Sequence, residues 1–348
     1  MAKSSWNAGI IRPVAVAPAG PYQDGAASGV WTIDQATFWT KQGLWPTAGI
    51  FPPGNRGLFF GGYAGGVINV IQYVTITTTG NATDFGDLAG GSFFAAGCGS
   101  TLRGIIAGGY NSGASPVNVI QYITFATTGD STDFGDLTAA KAVGAGCNST
   151  TRGVFGGAVT GPSNVIDYIT IASVGDATDF GDLTLARHAL ASCSSSIRGV
   201  WAGGTVASNV IDYVTIASVG NATDFGDLLT TNEGAFAGCS SSTRGVFAGG
   251  FDAVSTRTNV IVYITIATTG NATDFGDLTE KPSNNAGFSN TTRGVFGGGE
   301  KVDPGPSGKT NVITYVTIAT TGNATDFGDL ISATDSLGGC SSGNGGVQ

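Results

Sequence analysis

Residues 243–250 read T-R-G-V-F-A-G-G, and residues 259–278 read N-V-I-V-Y-I-T-I-A-T-T-G-N-A-T-D-F-G-D-L. An insert of eight residues separates them. The same pattern is written six times. Its opening Arg falls at Arg56, Arg103, Arg152, Arg198, Arg244 and Arg293, so the period is 46 to 49 residues. Its closing D-F-G-D-L begins at Asp84, Asp133, Asp179, Asp224, Asp274 and Asp326. A period of roughly 40–50 residues marks a repeat architecture, in which each unit is too small to bury its own apolar surface.

One repeat carries four short strand signals. Gly153 to Gly157 is a brief apolar run ended by a glycine pair. Asn164 to Ile171, N-V-I-D-Y-I-T-I, is rich in β-branched and aromatic residues. Asp179 to Leu183 makes a third strand after T-x-G-N/D-A-T turn chemistry, in which Gly and Asn tolerate positive φ. A fourth, such as Leu190 to Ser194, leads into a Ser-rich turn before the next Arg. No repeat shows a helical period, and both faces of the strands carry apolar residues. Four-stranded blades arranged radially satisfy these conditions. The expected fold is an all-β, six-bladed β-propeller. Its first repeat starts at the second strand of a blade, and Leu337 to Ser342 supplies the missing innermost strand beside Arg56, closing the ring by overlap of the chain ends. Ala48 to Phe51 competes for that place, because A-G-I-F before N-R-G parallels A-G-C-S before T-R-G.

The glycine pair, the Tyr of the next strand and the Phe twelve residues later resemble the kelch repeat, a β-propeller blade. The resemblance spans roughly Ala48 to Ser342. Phe85, Phe134, Phe180, Phe225, Phe275 and Phe327 stand where kelch blades usually carry Trp. Kelch-like propellers serve many tasks, so the resemblance implies a fold more than a function.

Composition removes several classes. The net charge is −9, which argues against a nucleic-acid partner. No run of 18 apolar residues exists, so no transmembrane helix is expected. The N-terminus has no basic region followed by an apolar core and does not read as a secretory signal. Cys98, Cys147, Cys193, Cys239 and Cys340 share one repeat position, with Phe288 in the sixth. They read as small buried apolar groups, not disulfides or a metal site.

Residues 1–47 differ in kind and form a separate N-terminal arm, with the propeller at 48–348. Trp6, Trp31, Trp39 and Trp45 lie here, four of the five Trp. Thr32 to Gln42 reads as a short helix stopped at Gly43. The arm is either a plug over the ring or a docking arm inserting its Trp side chains into a partner, since Trp anchors carry disproportionate binding energy. The run G-V-W-T-I-D-Q-A-T-F-W-T-K-Q-G-L-W-P at residues 29–46 resembles a segment of structural proteins of tailed bacteriophages, and N-A-T-D-F-G-D-L resembles repeats of phage tail and virion proteins. The resemblance implies a virion location, many copies per particle and attachment of the arm to other virion proteins.

In such a blade the turns C-S-S-S-T-R and T-T-G-N-A-T fall at one end of the disc and hardly vary. The other connections vary. The inserts after the glycine pair run to 6, 8, 6, 4, 8 and 12 residues, the longest being Gly299 to Thr310. Divergent loops on an invariant scaffold are where recognition is placed. Tyr110, Lys141, Arg187, His188, Glu233, Phe251, Arg257, Lys281, Glu300, Lys301 and Lys309 are therefore the candidate ligand-binding residues. His188 itself reads as a solvated loop side chain.

With one His in the chain, neither a multi-imidazole metal centre nor a Ser–His–Asp site is arguable. No cofactor is expected. Two readings stand for the repeated Asp residues: pairing with the repeat Arg or with turn amides, or a calcium site per blade from Asn81, Asp84, Asp87 and their equivalents. The expected function is that of a non-enzymatic phage virion protein, made in the host cytoplasm and displayed on the particle to recognise a host glycan or envelope protein. The alternatives are a capsid or tail decoration protein and a polysaccharide-degrading enzyme. The last would need converging carboxylates.

Overall fold

The computed structural model describes residues 55–343, apart from 143, 160–162, 206–207, 235, 253 and 302–307, and without the side chains of 231–233. The proposed arm with Trp6, Trp31, Trp39 and Trp45, its short helix and the competing strand at 48–51 lie outside the described residues. The described chain is all β, with no helix. Five sheets have four antiparallel strands, a sixth has five, and a seventh is a small three-stranded sheet. This is a propeller-like architecture.

The four-stranded sheets follow the repeat. Ala96–Gly99, Arg103–Ala107, Val119–Thr124 and Thr132–Asp136 are hydrogen-bonded in that order. The sheet containing Arg56–Phe60, Val70–Thr75 and Thr83–Asp87 takes its first strand from the other end of the chain: Gly338–Ser341 pairs antiparallel with Arg56–Phe60, Leu58 opposite Cys340. Gly338–Ser341 also packs beside Ala96–Gly99 on one side and Ala286–Ser289 on the other. The fifth strand of the sheet at Arg198–Ala202 forms because Thr223–Gly234 runs on past D-F-G-D and pairs with Phe251–Asp252 of the following repeat.

The core lies between the sheets. One apolar cluster joins Leu58, Phe60, Ile71 and Phe85 of the first repeat to Ile106, Ile123 and Phe125 of the second. Another joins Phe288, Val295, Ile313 and Phe327 of the last to Phe59, Val74 and Ile76 of the first. Each described Cys is a free thiol and buried. The thiols pack against the next repeat, so that a Cβ on Gly199 would lie 2.5 Å from Cys147 Sγ. Burial pushes all five thiols up from their ordinary range. As protonated, inaccessible groups they are poor nucleophiles.

Of the two partners open to the repeat Arg, a D-F-G-D Asp or turn carbonyls, it takes the carbonyls. Its guanidinium sits over the Tyr ring of its own repeat, 4.5 to 4.8 Å from the centroid in all six. That Tyr meets the D-F-G-D Phe edge-on, as Tyr213 does Phe225 at 5.8 Å. The guanidinium then donates across to a carbonyl of the next repeat: Arg103 to Ile171, Arg152 to Ile216, Arg198 to Ile266, Arg244 to Ile318, and Arg293 to Ile76 of the first, at 2.9 to 3.1 Å. Arg56 donates to Phe125 in the same way. Arg56 is buried and the other five are half-buried. A turn carbonyl wins because the first D-F-G-D carboxylate is exposed in every repeat and the second exposed or half-buried, with Phe inward between them, as at Asp84, Phe85 and Asp87.

A half-buried Arg held by charge-assisted hydrogen bonds and one aromatic face contributes less than a buried ion pair. Arg198→Ala is expected to lower stability by about 2–3 kcal/mol. Denaturant titration checks this. A loss under about 0.5 kcal/mol, the ordinary range of a surface substitution, would contradict it.

Candidate functional site

The chain turns fall into two sets. At one end the Ser-rich turn, the Arg and the T-x-G-N/D-A-T turn bond one another and repeat with little change. At the other end the inserts after the glycine pairs bond the connections that lead into the innermost strands: the Gly62 amide donates to the Ser92 carbonyl at 2.8 Å, and Tyr110 pairs with Phe93. These two variable loop types therefore share one end of the molecule.

Part of that end is an aromatic step. Tyr63 follows the first glycine pair and Tyr110 the second. Phe93 lies between them, 5.2 Å from the Tyr110 ring with 28° between planes and 6.3 Å edge-on from Tyr63. Phe94 continues the step at 5.6 Å. Tyr63 is exposed, and Phe93, Phe94 and Tyr110 are half-buried. Lys309 stands 4.6 Å from the Tyr63 ring centroid and is ion-paired with Asp335. The Asp335 carbonyl also accepts the Tyr63 amide. The last and first repeats thus build one surface, with an apolar ledge beside a clamped charge pair.

A second charged group adjoins it. Arg257 lies over Phe251, 5.1 Å from the centroid, donates to Ser283 Oγ at 2.7 Å and pairs with Glu300 at 2.5 Å. Lys301 pairs with Glu280, whose other oxygen accepts from Thr310 Oγ1 at 2.7 Å. The small sheet of Pro282–Ser283, Glu300–Lys301 and Gly308–Lys309 holds these residues in place. The exposed rims of such pairs add little stability. They do set where charge is presented.

Tyr110, Phe251, Arg257, Glu300, Lys301 and Lys309 therefore stand on the variable end. Lys281 is half-buried on the connection after Leu278. The Glu233 side chain lies outside the described residues. Lys141 and Arg187 are not surface residues. Lys141 is buried and pairs with Asp167 at 2.8 Å. Arg187 is fully buried, pairs with Asp212 at 2.6 Å and donates to the Gly203 and Val210 carbonyls. Burial pushes the Arg187 guanidinium down, and Asp212 opposes this. His188 is half-buried, with Nδ1 2.8 Å from Thr205 Oγ1, and burial lowers its pKa.

Sequence reasoning missed Asp167 and Asp212 as partners, yet a signal was present. The third residue of the long strand is Gln72, Gln121, Asp167, Asp212, Val262 or Thr314. Asp appears only in the two repeats whose preceding connection carries Lys141 or Arg187. Tyr63 and Phe93 were passed over because their neighbours become neighbours only through packing between repeats.

The repeated Asn and Asp of the constant end are also accounted for. Asn81 Oδ1 accepts the Asp329 amide at 3.0 Å, and Asp130, Asp176, Asn221, Asn271 and Asn323 do the same for the preceding repeat. Among the described residues no group of His, Cys, Asp and Glu has metal-site geometry. No helix of the described residues is long and apolar enough to cross a membrane. No protein-family model matches the chain, and no curated protein matches it.

The buried pairs allow a sharp test. Asp212→Ala leaves Arg187 charged in the interior without its counter-charge, held only by the Gly203 and Val210 carbonyls, and should cost about 3–5 kcal/mol. The double variant Arg187→Leu, Asp212→Val installs the Val that the fifth repeat already carries at Val262, and should recover most of that loss. Thermal and denaturant unfolding of the two variants read the difference. Equal destabilisation by both would show that the charges themselves are required.

Proposed function

We propose that the chain is a non-enzymatic virion protein of a tailed phage. In this reading the six large sheets are blades of a kelch-like propeller closed by its two chain ends. The variable end binds a glycan on the host surface, and residues 1–47 attach the protein to the particle. The observation that carries the binding role is the step of Tyr63, Phe93 and Tyr110 on the variable end. Aromatic faces half-open to solvent beside fixed polar groups suit sugar rings, which present apolar CH faces and hydroxyl edges. The six inserts differ in length and composition on an otherwise repeated frame, which agrees with recognition at that end. Glu280, Glu300 and Asp335 are each neutralised by a cation. That supports a binding surface over a pair of carboxylates poised for glycoside hydrolysis. The particle location rests on the resemblance of residues 29–46 and of the repeat to phage virion proteins.

A second reading, decoration of the capsid or tail, draws on the constant end. Leu102, Ile197, Val174 and Val219 are 58 to 68% exposed there, in turns where other repeats carry mostly Thr. An apolar group of this kind suits contact with another virion protein. It is compatible with a propeller whose opposite end faces outward.

Labelled protein bound to host cells tests the choice. Tyr110→Ala should weaken attachment about tenfold or more, as removal of a stacking anchor does. Replacing Gly299 to Thr310 with the insert of the fourth repeat should also weaken it while the protein still folds, since the Thr310 amide already bonds the Gly299 carbonyl and closes the insert at its base. Protein lacking residues 1–45 should still bind cells and fail to join particles. No attachment by any form would favour decoration, and release of reducing sugar from host polysaccharide would establish an enzyme.

A further inference from the structure

The residue that follows each glycine pair differs around the molecule. It is aromatic in the fifth, first and second repeats, at Phe251, Tyr63 and Tyr110. In the sixth repeat, which packs against the fifth on one side and the first on the other, it is Glu300. In the third and fourth it is Ala158 and Thr205. One arc of the variable end therefore carries flat apolar faces, and the other carries small side chains.

The arc is continuous from side chain to side chain. Arg257 lies over Phe251 and pairs with Glu300. Glu300 stands directly opposite Lys309 in the small sheet. Directly opposite side chains of an antiparallel pair project to one face, about 5 Å apart. Lys309 in turn lies 4.6 Å from the Tyr63 ring centroid, and Phe93 and Tyr110 follow at spacings of 6.3 and 5.2 Å. The result is a strip with aromatic plates at both ends and alternating charge between them. It is open to solvent: Tyr63 is 39% exposed, and the side chains of Glu300, Lys309 and Arg257 are 41, 24 and 19% exposed. Asp335 is saturated, because Oδ1 accepts from Ser336 Oγ at 2.9 Å and Oδ2 from Lys309. The Lys309 ammonium has three N–H donors, and this ion pair uses one. Glu300 pairs with Arg257 through Oε2, and its Oε1 is an acceptor on the same face. A donor and an acceptor thus stand side by side between the plates.

We propose that this strip binds an uncharged polysaccharide chain along its length, not a single terminal sugar; the proposal rests on the glycan-binding reading above. A sugar ring offers an apolar CH face to an aromatic plate, and its hydroxyls both donate and accept, which matches Lys309 beside Glu300. One ring covers one plate, so a ligand that meets both Phe251 and Tyr110 must be a chain. Linked contacts of this kind reinforce one another, because the second is made within a molecule already bound. The charges of the strip cancel in pairs, Arg257 with Glu300 and Lys309 with Asp335. An acidic chain would find no excess of positive charge there and would meet Glu300, the most exposed of the four charged side chains.

Calorimetric titration of the full chain tests this with polysaccharide from the host envelope, cut by partial acid hydrolysis into single sugars, a short fraction and a long fraction. The long fraction should bind at least about tenfold tighter than the short one. Raising the salt concentration should change its affinity little, since no net charge is neutralised. This comparison needs no variant. Phe251→Leu keeps an apolar side chain beneath Arg257 and removes the flat face, and thermal melting should match the parent chain. It should lower affinity for the long fraction about tenfold, as loss of an aromatic anchor does. The short fraction, held by Tyr63, Phe93 and Tyr110, should bind Phe251→Leu as it binds the parent chain, and Tyr110→Ala should weaken both fractions. Equal affinity for the two fractions, or long-chain affinity unchanged in Phe251→Leu, overturns the strip and leaves a local glycan site at the aromatic step. Binding that salt abolishes overturns the uncharged ligand. No binding of any fraction to the parent chain removes the glycan reading itself, and the strip with it.

Discussion

The turn of one repeat clasps the outer strand of the repeat before it, and the rest of the structure depends on that clasp. The Gly129 amide donates to the Phe85 carbonyl, the Ser131 amide to the Asp87 carbonyl, and Asp130 Oδ1 accepts the Asp87 amide. The clasp requires close approach. A Cβ on Gly86, which has φ of +147°, would lie 2.4 Å from the Gly129 carbonyl group. This is why D-F-G-D keeps its glycine. The same three bonds join the last repeat to the first, through Gly80, Asn81 and Ala82 to Phe327 and Asp329. The repeat Arg spans the same boundary to the carbonyls beyond the long strand. Each boundary thus combines an apolar cluster with directional bonds, and a one-residue slip between repeats would break both.

The innermost strands face a related difficulty, because one edge of each has no strand to pair with. Side-chain hydroxyls serve instead. The Ser194 amide donates to Ser240 Oγ and the Ser240 amide to Ser289 Oγ, while Ser289 and Ser341 donate onward to the Ser240 and Ser289 carbonyls. The Ser240 and Ser289 hydroxyls, which follow Cys239 and Phe288, therefore both donate and accept. Buried edges need such partners, since an unpaired backbone group in the interior costs as much as a lost hydrogen bond. The constant end is committed to holding repeats together, which leaves the variable end free to diverge.

Much of this was legible in the sequence, and the parts that were not share a cause. Strand signals and glycine pairs are local, so four strands per repeat could be read directly. Partners across a repeat boundary are not local. The repeat Arg could be read as seeking an Asp or a turn carbonyl, and the sequence did not show that a β-bulge at Phe85 leaves both Asp84 and Asp87 exposed and the carbonyl as partner. Lys141 and Arg187 looked like loop charges because nothing local announces burial. Only comparison with Asp167 and Asp212 one repeat on would have shown it. On the variable end Tyr110 was visible, but its partner Phe93 lies on the connection before the next innermost strand, and nothing local pairs the two.

A chain of repeats that clasp their neighbours without closing has two terminal units, and terminal units fray. A closed ring has none. Native-state hydrogen exchange of the Asp87, Asp136, Asp182, Asp227, Asp277 and Asp329 amides, each bonded to the turn of the next repeat, separates the two cases. Closure predicts one common opening free energy for all six, with Asp329, which bonds Asn81 of the first repeat, as protected as the rest. Fast, denaturant-independent exchange at Asp329 beside slow exchange at Asp182 and Asp227 would contradict a closed ring.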